Sequence, residues 1–344
     1  MPDPRGRLLG TLDDGRPVRA HVIGAAPGPL VEVLDLGAAV RRLEVTGGDG
    51  ARRDVTLGYA GAQEYADGGY FLGAVVGRYA NRIADGTFTL DGREVRVGTS
   101  DRGHHLHGGP AGFDTRTWDV LSHGPDHVEL GLLSEDGDQG FPGRLAVTAR
   151  YEVAGESVRL VLGAETDAPT LVNLTSHLYL DLDGHGVDDL LLEVPADGYL
   201  PVDATGIPLG PVEPVEGTPF DLREPTRLGD VARSGHPQVA AAQGLDHTLV
   251  VRGTGQRTVA TLTSARTGTR VTIGSDRPGL QVYTGNFLDG RHPRRDGTLL
   301  RQGDGIALEP QLFPDTPHHP HFGSAVLRPG ETYRHEISWT FGAL

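Results

Sequence analysis

The chain contains no cysteine, which excludes disulfides, thiolate nucleophiles, iron–sulfur clusters and Cys-ligated zinc. It contains no lysine either, so all 31 basic residues are Arg. Without Lys there is no P-loop cation for a nucleotide phosphate. Nor is there an amine for Schiff-base chemistry, with a carbonyl substrate or with pyridoxal phosphate. No stretch approaches the ~18 uninterrupted apolar residues that a membrane-spanning helix needs. Positive charge is scarce as well: 31 basic against 46 acidic residues leave a net charge of −15. Such a surface repels phosphate backbones and anionic lipid, so neither nucleic acid nor membrane is an expected partner. Met1 to Gly10 lacks the apolar core of a secretory leader, and the expected location is the cytoplasm. Asn173-Leu174-Thr175 then reads as a chance match to a glycosylation sequon.

What the chain has in plenty is backbone punctuation, with 51 Gly and 24 Pro among 344 residues. Each weakens a helix interior, so long helices are not expected. Hydrophobic residues still make up 37%, enough for a large core. Their spacing has period two. Leu145, Val147, Ala149, Tyr151 and Val153 alternate with Arg144, Ala146, Thr148, Arg150 and Glu152, the pattern of a strand with one buried face. Thr87 to Leu90, then Asp91-Gly92, then Arg93 to Val97, reads as a hairpin with a type I′ turn. Val128 to Leu132, Val158 to Leu162, Val259 to Thr263, Arg270 to Ile273 and Ile337 to Phe341 are further strands. The best helical stretch, Val239 to Ala242, is short. Short strands with turn signals every ~8–12 residues predict an all-β sandwich or barrel. Pro201 to Pro225 is interleaved with Val, Ile, Leu and Phe and reads as packed loop. With no linker and no internal repeat, one domain over residues 1–344 is expected.

Polar residues cluster at scattered points, as they do in a site assembled from many strand ends. Gly77 to Ile83 sets Asn81 beside Arg82 at a strand-to-loop junction, although alone it reads as an ordinary exposed Arg pair with Arg78. His104-His105-Leu106-His107-Gly108-Gly109 concentrates imidazoles. His105 and His107 would share one side of a strand, which makes a metal site conceivable, but no carboxylate ligand is near in sequence. Asn173 to Leu180 carries His177 between hydrogen-bonding neighbours. Gly244 to His247 puts Asp246 beside an imidazole. Gln281 to Asn286 again alternates polar groups, and Ile306 to Gln311 sets one acid, Glu309, at the end of an apolar strand. Burial there would raise its pKa toward the working range of a base. His318, His319 and His321 lie in a Pro-rich loop and are expected to be mostly solvated. There is no G-x-G-x-x-G, G-x-S-x-G or H-E-x-x-H. The remaining set of His, Asp, Glu, Arg, Asn and Gln suits a polar neutral ligand with many hydroxyls, such as a sugar.

Taken together, these segments resemble the aldose 1-epimerase (galactose mutarotase) family over nearly the whole chain and in order. Asp138 to Gly143, Pro201 to Gly210 and Thr218 to Asp221 resemble its connecting segments. The chain departs from the family at His105, where Asn is common, and at Asp181-Leu182, where Asn-Leu is common. The resemblance implies a large single-domain antiparallel β-sandwich, the galactose mutarotase-like supersandwich. It implies Glu309 as general base and His177 as general acid, with Asn81, Arg82, His107, Asp246 and Gln281 holding the sugar. The implied reaction interconverts α and β anomers of free aldohexoses such as glucose and galactose. It moves only protons, so no cofactor and no metal are expected. The expected partner is a monosaccharide, bound by a monomer or homodimer. The chemistry asks that Glu309 start ionised and His177 protonated, with Glu309 setting the acid limb of the rate and His177 the alkaline limb. Alternatives are a hexose-6-phosphate 1-epimerase, a non-catalytic sugar-binding protein on the same fold, and a metal-dependent hydrolase using His105, His107 and His318 to His321.

Overall fold

The computed structural model describes residues 6–67 and 69–344; the first five residues of the N-terminal segment lie outside that range. The architecture is antiparallel β throughout its main ladders. A nine-stranded sheet runs, in spatial order, from Asp119–His123 through His127–Ser134, Leu145–Ala154, Ser157–Thr166, Tyr333–Ala343, Thr269–Ser275, Arg257–Ser264 and Leu190–Glu193 to Thr226–Arg227. A five-stranded meander covers Arg7–Thr11 to Arg52–Asp54, and a six-stranded sheet holds the segments that matter most below.

The period-two reading carries over closely. Leu145, Val147, Ala149 and Tyr151 are buried while Ala146, Thr148, Arg150 and Glu152 are not. The hairpin forms between Thr87–Leu90 and Arg93–Arg96, with positive φ at both Asp91 (49°) and Gly92 (77°), as a type I′ turn requires. The helix Pro237–Ala242 includes the expected stretch, and two more short helices form at Gln63–Asp67 and Leu228–Ala232. Among the described residues no helix is long and apolar enough to cross a membrane. One hydrophobic cluster draws on all three sheets, from Ile23 and Val31 through Leu160 and Leu280 to Trp339.

The six-stranded sheet runs Tyr179–Leu180, Ile306–Gln311, Gly279–Tyr283, Asp246–Val251, Ala196–Tyr199, Glu213–Pro214. Two neighbouring strands, Ile306–Gln311 and Gly279–Tyr283, are buried along their whole length. Alternation therefore sorts side chains between two interiors. Leu280, Val282, Ile306 and Leu308 join the large apolar core, while Gln281, Tyr283 and Glu309 face a cavity on the other side.

Arg78 anchors the segment that covers this cavity. It is 2% exposed, which overturns the reading of Arg78 and Arg82 as a solvated pair. Its guanidinium donates to the carbonyls of Ser134, Glu135, Pro142 and Gly143 and to the hydroxyls of Ser134 and Thr170. Asp138 to Gly143 thus folds around a buried cation. Asn173 is likewise structural: fully buried, it accepts from Leu312 N–H and donates to Ala80 O. Arg78→Met keeps the bulk but orphans these acceptors, and should lower unfolding free energy by about 3–5 kcal/mol in denaturant titration.

Candidate active site

The cavity has a volume of about 340 Å³, at the small end of the range for ligand pockets, about 300–1,000 Å³. Its floor follows directly from strand register. Gln281 lies opposite Glu309 on one side and Thr248 on the other, and Asp246 lies opposite Tyr283. Asp246, Gln281 and Glu309 therefore project from three adjacent strands onto one face. The Gln281 amide is oriented by its neighbours: Nε2 donates to Asp246 Oδ1 at 2.7 Å and Oε1 accepts from the Thr248 hydroxyl. Thr284 and Asn286 stay outside the cavity and brace the turn before Asp246. Thr284 Oγ1 accepts from Leu245 N–H, and Asn286 Nδ2 donates to Ala242 O and Leu245 O.

The roof comes from loops. Asn81 adopts a φ of 62° and His107 a φ of 50°. Asn81 N–H donates to His107 Nδ1 at 3.2 Å, and His107 N–H returns a bond to Asn81 O. Gly108 makes this tight turn possible, since a Cβ there would lie 1.8 Å from Gly77 O. The neutral His107 ring thus carries its proton on Nε2. Asn81 Oδ1 accepts from Arg82 N–H, leaving the amide NH₂ free, and Arg82 Nε donates to Asp101 at 2.9 Å. His177 sits between Phe71 (ring centroids 5.7 Å) and Tyr179 (4.9 Å), with its Nε2 3.6 Å from Glu309 Oε1. His177 Nδ1 and Glu309 Oε2 are buried without partners.

Comparison with known proteins bears directly on this arrangement. The profile of the family described as Aldose 1-epimerase matches residues 21–340. The chain is 39% identical over 317 residues to the galactose mutarotase of Sus scrofa, covering 90% of each chain. It is 37% identical over 335 residues to the aldose 1-epimerase of Escherichia coli K12, covering 95% of this chain and 96% of that one. In structure it is similar to an aldose epimerase homologue from C. elegans, with a TM-score of 0.90, 30% identity, and 95% and 99% coverage. The galactose 1-epimerase of Lactobacillus acidophilus superposes with a TM-score of 0.85 at 30% identity, covering 96% of each chain. The chain belongs to the aldose 1-epimerase family. Its fold is that family's β-sandwich.

All seven residues singled out in the sequence for this family's chemistry line the one cavity: Asn81, Arg82, His107, His177, Asp246, Gln281 and Glu309. The two departures do not. His105 Nδ1 donates to Gly98 O and its Nε2 accepts from Gly108 N–H, while Asp181 pairs with Arg294. His105 and His107 do not share a strand face, because the left-handed turn at His107 swings its ring inward while His105 packs on Phe141. His318 and His319 bond Asp315, outside the cavity. His318 and His321 are exposed as expected, but His319 is half-buried. Sequence reasoning gave no role to Phe71, Tyr179, Tyr283 and Asp101, which also line the cavity. The available signal was the aromatic pair Tyr70-Phe71 among glycines, where Phe71 takes a φ of 56°.

Burial shapes the proton inventory. It pushes Glu309 well above the ordinary carboxylate value, with Asp246 adding to the effect and Arg82 opposing it. Burial pushes His177 down to about 4. The free pair therefore holds one proton over a wide range, and that proton rests on Glu309. This inverts the expected starting state and the expected ownership of the two limbs: the two groups titrate as one unit, gaining a second proton near 4 and losing the first only at the raised Glu309 value. His107 is neutral, driven down by burial and by the neighbouring His177.

His107, His177 and Glu309 each offer a ligand-type atom within 4.8 Å of the others. A metal on His107 Nε2 would force that ring's proton onto Nδ1, against the Asn81 N–H. The tautomer fits a hydrogen-bond donor and not a ligand. Exhaustive chelation should leave Tm unchanged in calorimetry; a drop reversed by zinc would put a metal on these three residues.

Proposed function

We propose that the chain interconverts the α and β anomers of a free aldohexose such as glucose or galactose, with Glu309 as general base and His177 as general acid. The observation that carries this reading is the facing of two unpartnered, buried proton-transfer groups 3.6 Å apart in a cavity otherwise lined by hydrogen-bonding side chains. Asn81, Arg82, His107 Nε2–H and Gln281 supply donors, and Asp246 and Glu309 supply acceptors. Such an alternation matches a ring of hydroxyls, which are each both donor and acceptor. Relatives named galactose mutarotase and aldose 1-epimerase support the same substrate class.

The reaction opens and recloses a cyclic hemiacetal. Glu309 takes the proton from the anomeric hydroxyl as His177 gives one to the ring oxygen, and the bond from the anomeric carbon to the ring oxygen breaks. The resulting aldehyde turns about its bond to the next carbon. Closure on the other face runs both transfers backwards. Sugar hydroxyls donating to Glu309 favour its ionised form, which places the shared proton on His177, where it is needed. His107 cannot be the acid: as a neutral ring it donates a hydrogen bond from Nε2 without giving up the proton. Arg82 offsets charge building on oxygen without consuming a proton.

A phosphorylated hexose fits less well. The two cavity guanidiniums, Arg82 and Arg102, both pair with Asp101, and Asp246 and Glu309 face the same space. A non-catalytic binder would have no use for the costly burial of the acid–base pair.

Glu309→Gln keeps the shape but removes the base. Polarimetry of freshly dissolved α-D-galactose and α-D-glucose should show a loss of 10²–10⁴ in rate, about 3–5 kcal/mol of transition-state stabilisation. A near wild-type rate would remove Glu309 from this role. For the unmodified enzyme, kcat/KM should fall below about pH 4, where His177 gains the second proton and no base is left. It should fall again only above the raised Glu309 value, where no acid is left. In His177→Asn only Glu309 titrates, and it must be ionised to work, so the residual rate should rise with pH through that same region. A falling alkaline limb in that variant would assign the acid elsewhere.

A further inference from the structure

Among the buried histidines that take no part in the chemistry above, His335 has an unusual pair of partners. His335, on the central strand Tyr333–Ala343, is 0% exposed. Its Nδ1 lies 2.5 Å from Asp276 Oδ1, and its Nε2 lies 3.1 Å from the carbonyl oxygen of Pro310, the residue after Glu309. Both partners are acceptors. A neutral imidazole has one N–H and one lone pair, so it can satisfy only one of them and must turn a lone pair on the other.

The Pro310 carbonyl is a junction. Thr175 Oγ1 also donates to it, at 2.7 Å, and Thr175 stands two residues before His177. Pro310 has no N–H with which to extend the ladder. Beyond His177 the segment joins the strand carrying the base by backbone pairing of Tyr179–Leu180 with Ile306–Ala307; before His177 the link is made by the Thr175 side chain at this oxygen. Both of its lone pairs are used, one by Thr175 and one by His335.

We propose that His335 is a positioning residue for the acid–base pair: a doubly protonated imidazole, paired with Asp276, whose Nε2–H holds the Pro310 carbonyl and so sets the separation of His177 and Glu309. The proposal rests on those two residues being the reacting pair. The charged groups that act on the ring are Asp276, which favours the second proton, and Arg277, which opposes it. Burial is the largest influence and opposes it too, bringing the ring down to about 4 even with Asp276 and the Pro310 carbonyl pulling the other way. The donor count decides the other way, because the neutral ring would set two lone pairs 3.1 Å apart in a site closed to water. Asp276 is held ionised, near 2, by its bonds to His335 and by Arg277. Glu336 N–H also donates to Asp276. Across the strand its register partner is Leu162, and the other donor to the Pro310 carbonyl is Thr175; both are uncharged.

The direct test is ¹⁵N NMR of the imidazoles in the intact protein, with the His335 signals assigned by their loss in His335→Gln. Both ring nitrogens should read as protonated from pH 6 to pH 8. One unprotonated nitrogen at pH 7 would overturn the proposal, whatever the fate of the Glu309 assignment. The kinetic test uses Asp276→Asn, at a side chain that reaches solvent and whose amide oxygen still accepts from Nδ1–H. Loss of the carboxylate removes the second proton, so kcat should fall roughly 10- to 100-fold with KM within about twofold, as misplacement of reacting groups does. Unchanged kcat, or KM rising as far as kcat falls, would overturn the positioning role. Thr175→Val removes the other donor and should shift kcat in the same sense, while Thr175→Ser should retain it.

Discussion

The constraint on which the rest of the structure depends is the burial of a carboxyl group and an imidazole against each other, 3.6 Å apart, with one polar atom of each left unpartnered. An unmatched buried polar atom costs about 1–3 kcal/mol, and a buried charge costs more. The surroundings disfavour charge on both groups, so the pair rests with its single proton on Glu309. A hydroxyl-bearing ring restores the missing partners and the site's polarity together. Binding and the redistribution of that proton are then one event.

Holding such a pair open needs a rigid frame, and the frame is sheet register. Three adjacent strands deliver Asp246, Gln281 and Glu309 to one face by cross-strand opposition. The residues between them in sequence, Leu280, Val282 and Leu308, fill the apolar core on the other face. Slippage by one residue would exchange the two sets. The apolar packing that stabilises the sandwich therefore also aims the catalytic side chains. The segments that close the roof stand outside this sheet: the short pairing of Arg82–Ile83 with His105–Leu106 is reinforced by buried polar bonds, the Asn81–His107 clamp and the Arg78 cradle.

Legibility from the sequence followed this division. Strands with one buried face, such as Leu145–Ala154, were readable because alternation survives when the other face meets solvent. The Asp91-Gly92 hairpin was readable because its turn needs positive φ twice. The meander over Arg7–Asp54 went unread: Leu30–Leu34 is buried on both faces and so loses the alternating signal, and in Val40–Thr46 a bulge at Arg41 breaks the alternation of Val40, Leu43 and Val45. Arg78 was misjudged because nothing local distinguishes a cation cradled by four distant carbonyls from a solvated one. Phe71 and Asp101 were missed because their roles, covering two imidazoles and restraining Arg82, exist only after long-range closure. The resemblance to the family carried the individual roles, which periodicity could not assign.

The histidines show where sequence reading reaches its limit. His105, His107 and His335 are all buried, and the identity of the side chain says nothing about its protons. The partners do. His105 meets one backbone acceptor and one backbone donor, which fixes a neutral ring with nothing left to offer a ligand. His107 meets a backbone N–H at Nδ1, which fixes the other tautomer and points a permanent donor into the cavity. His335 meets two acceptors, which calls for both protons. Compared with these three, His177 meets no hydrogen-bonding partner at Nδ1 and only a carboxyl beyond hydrogen-bond distance at Nε2, so neither nitrogen is committed. A group that must lose and regain a proton in each turnover has to be left uncommitted by the fold; His21 is also buried without partners, but it is His177 that lines the cavity beside Glu309. The distribution of backbone partners, more than any local motif, separates the acid from its three structural neighbours.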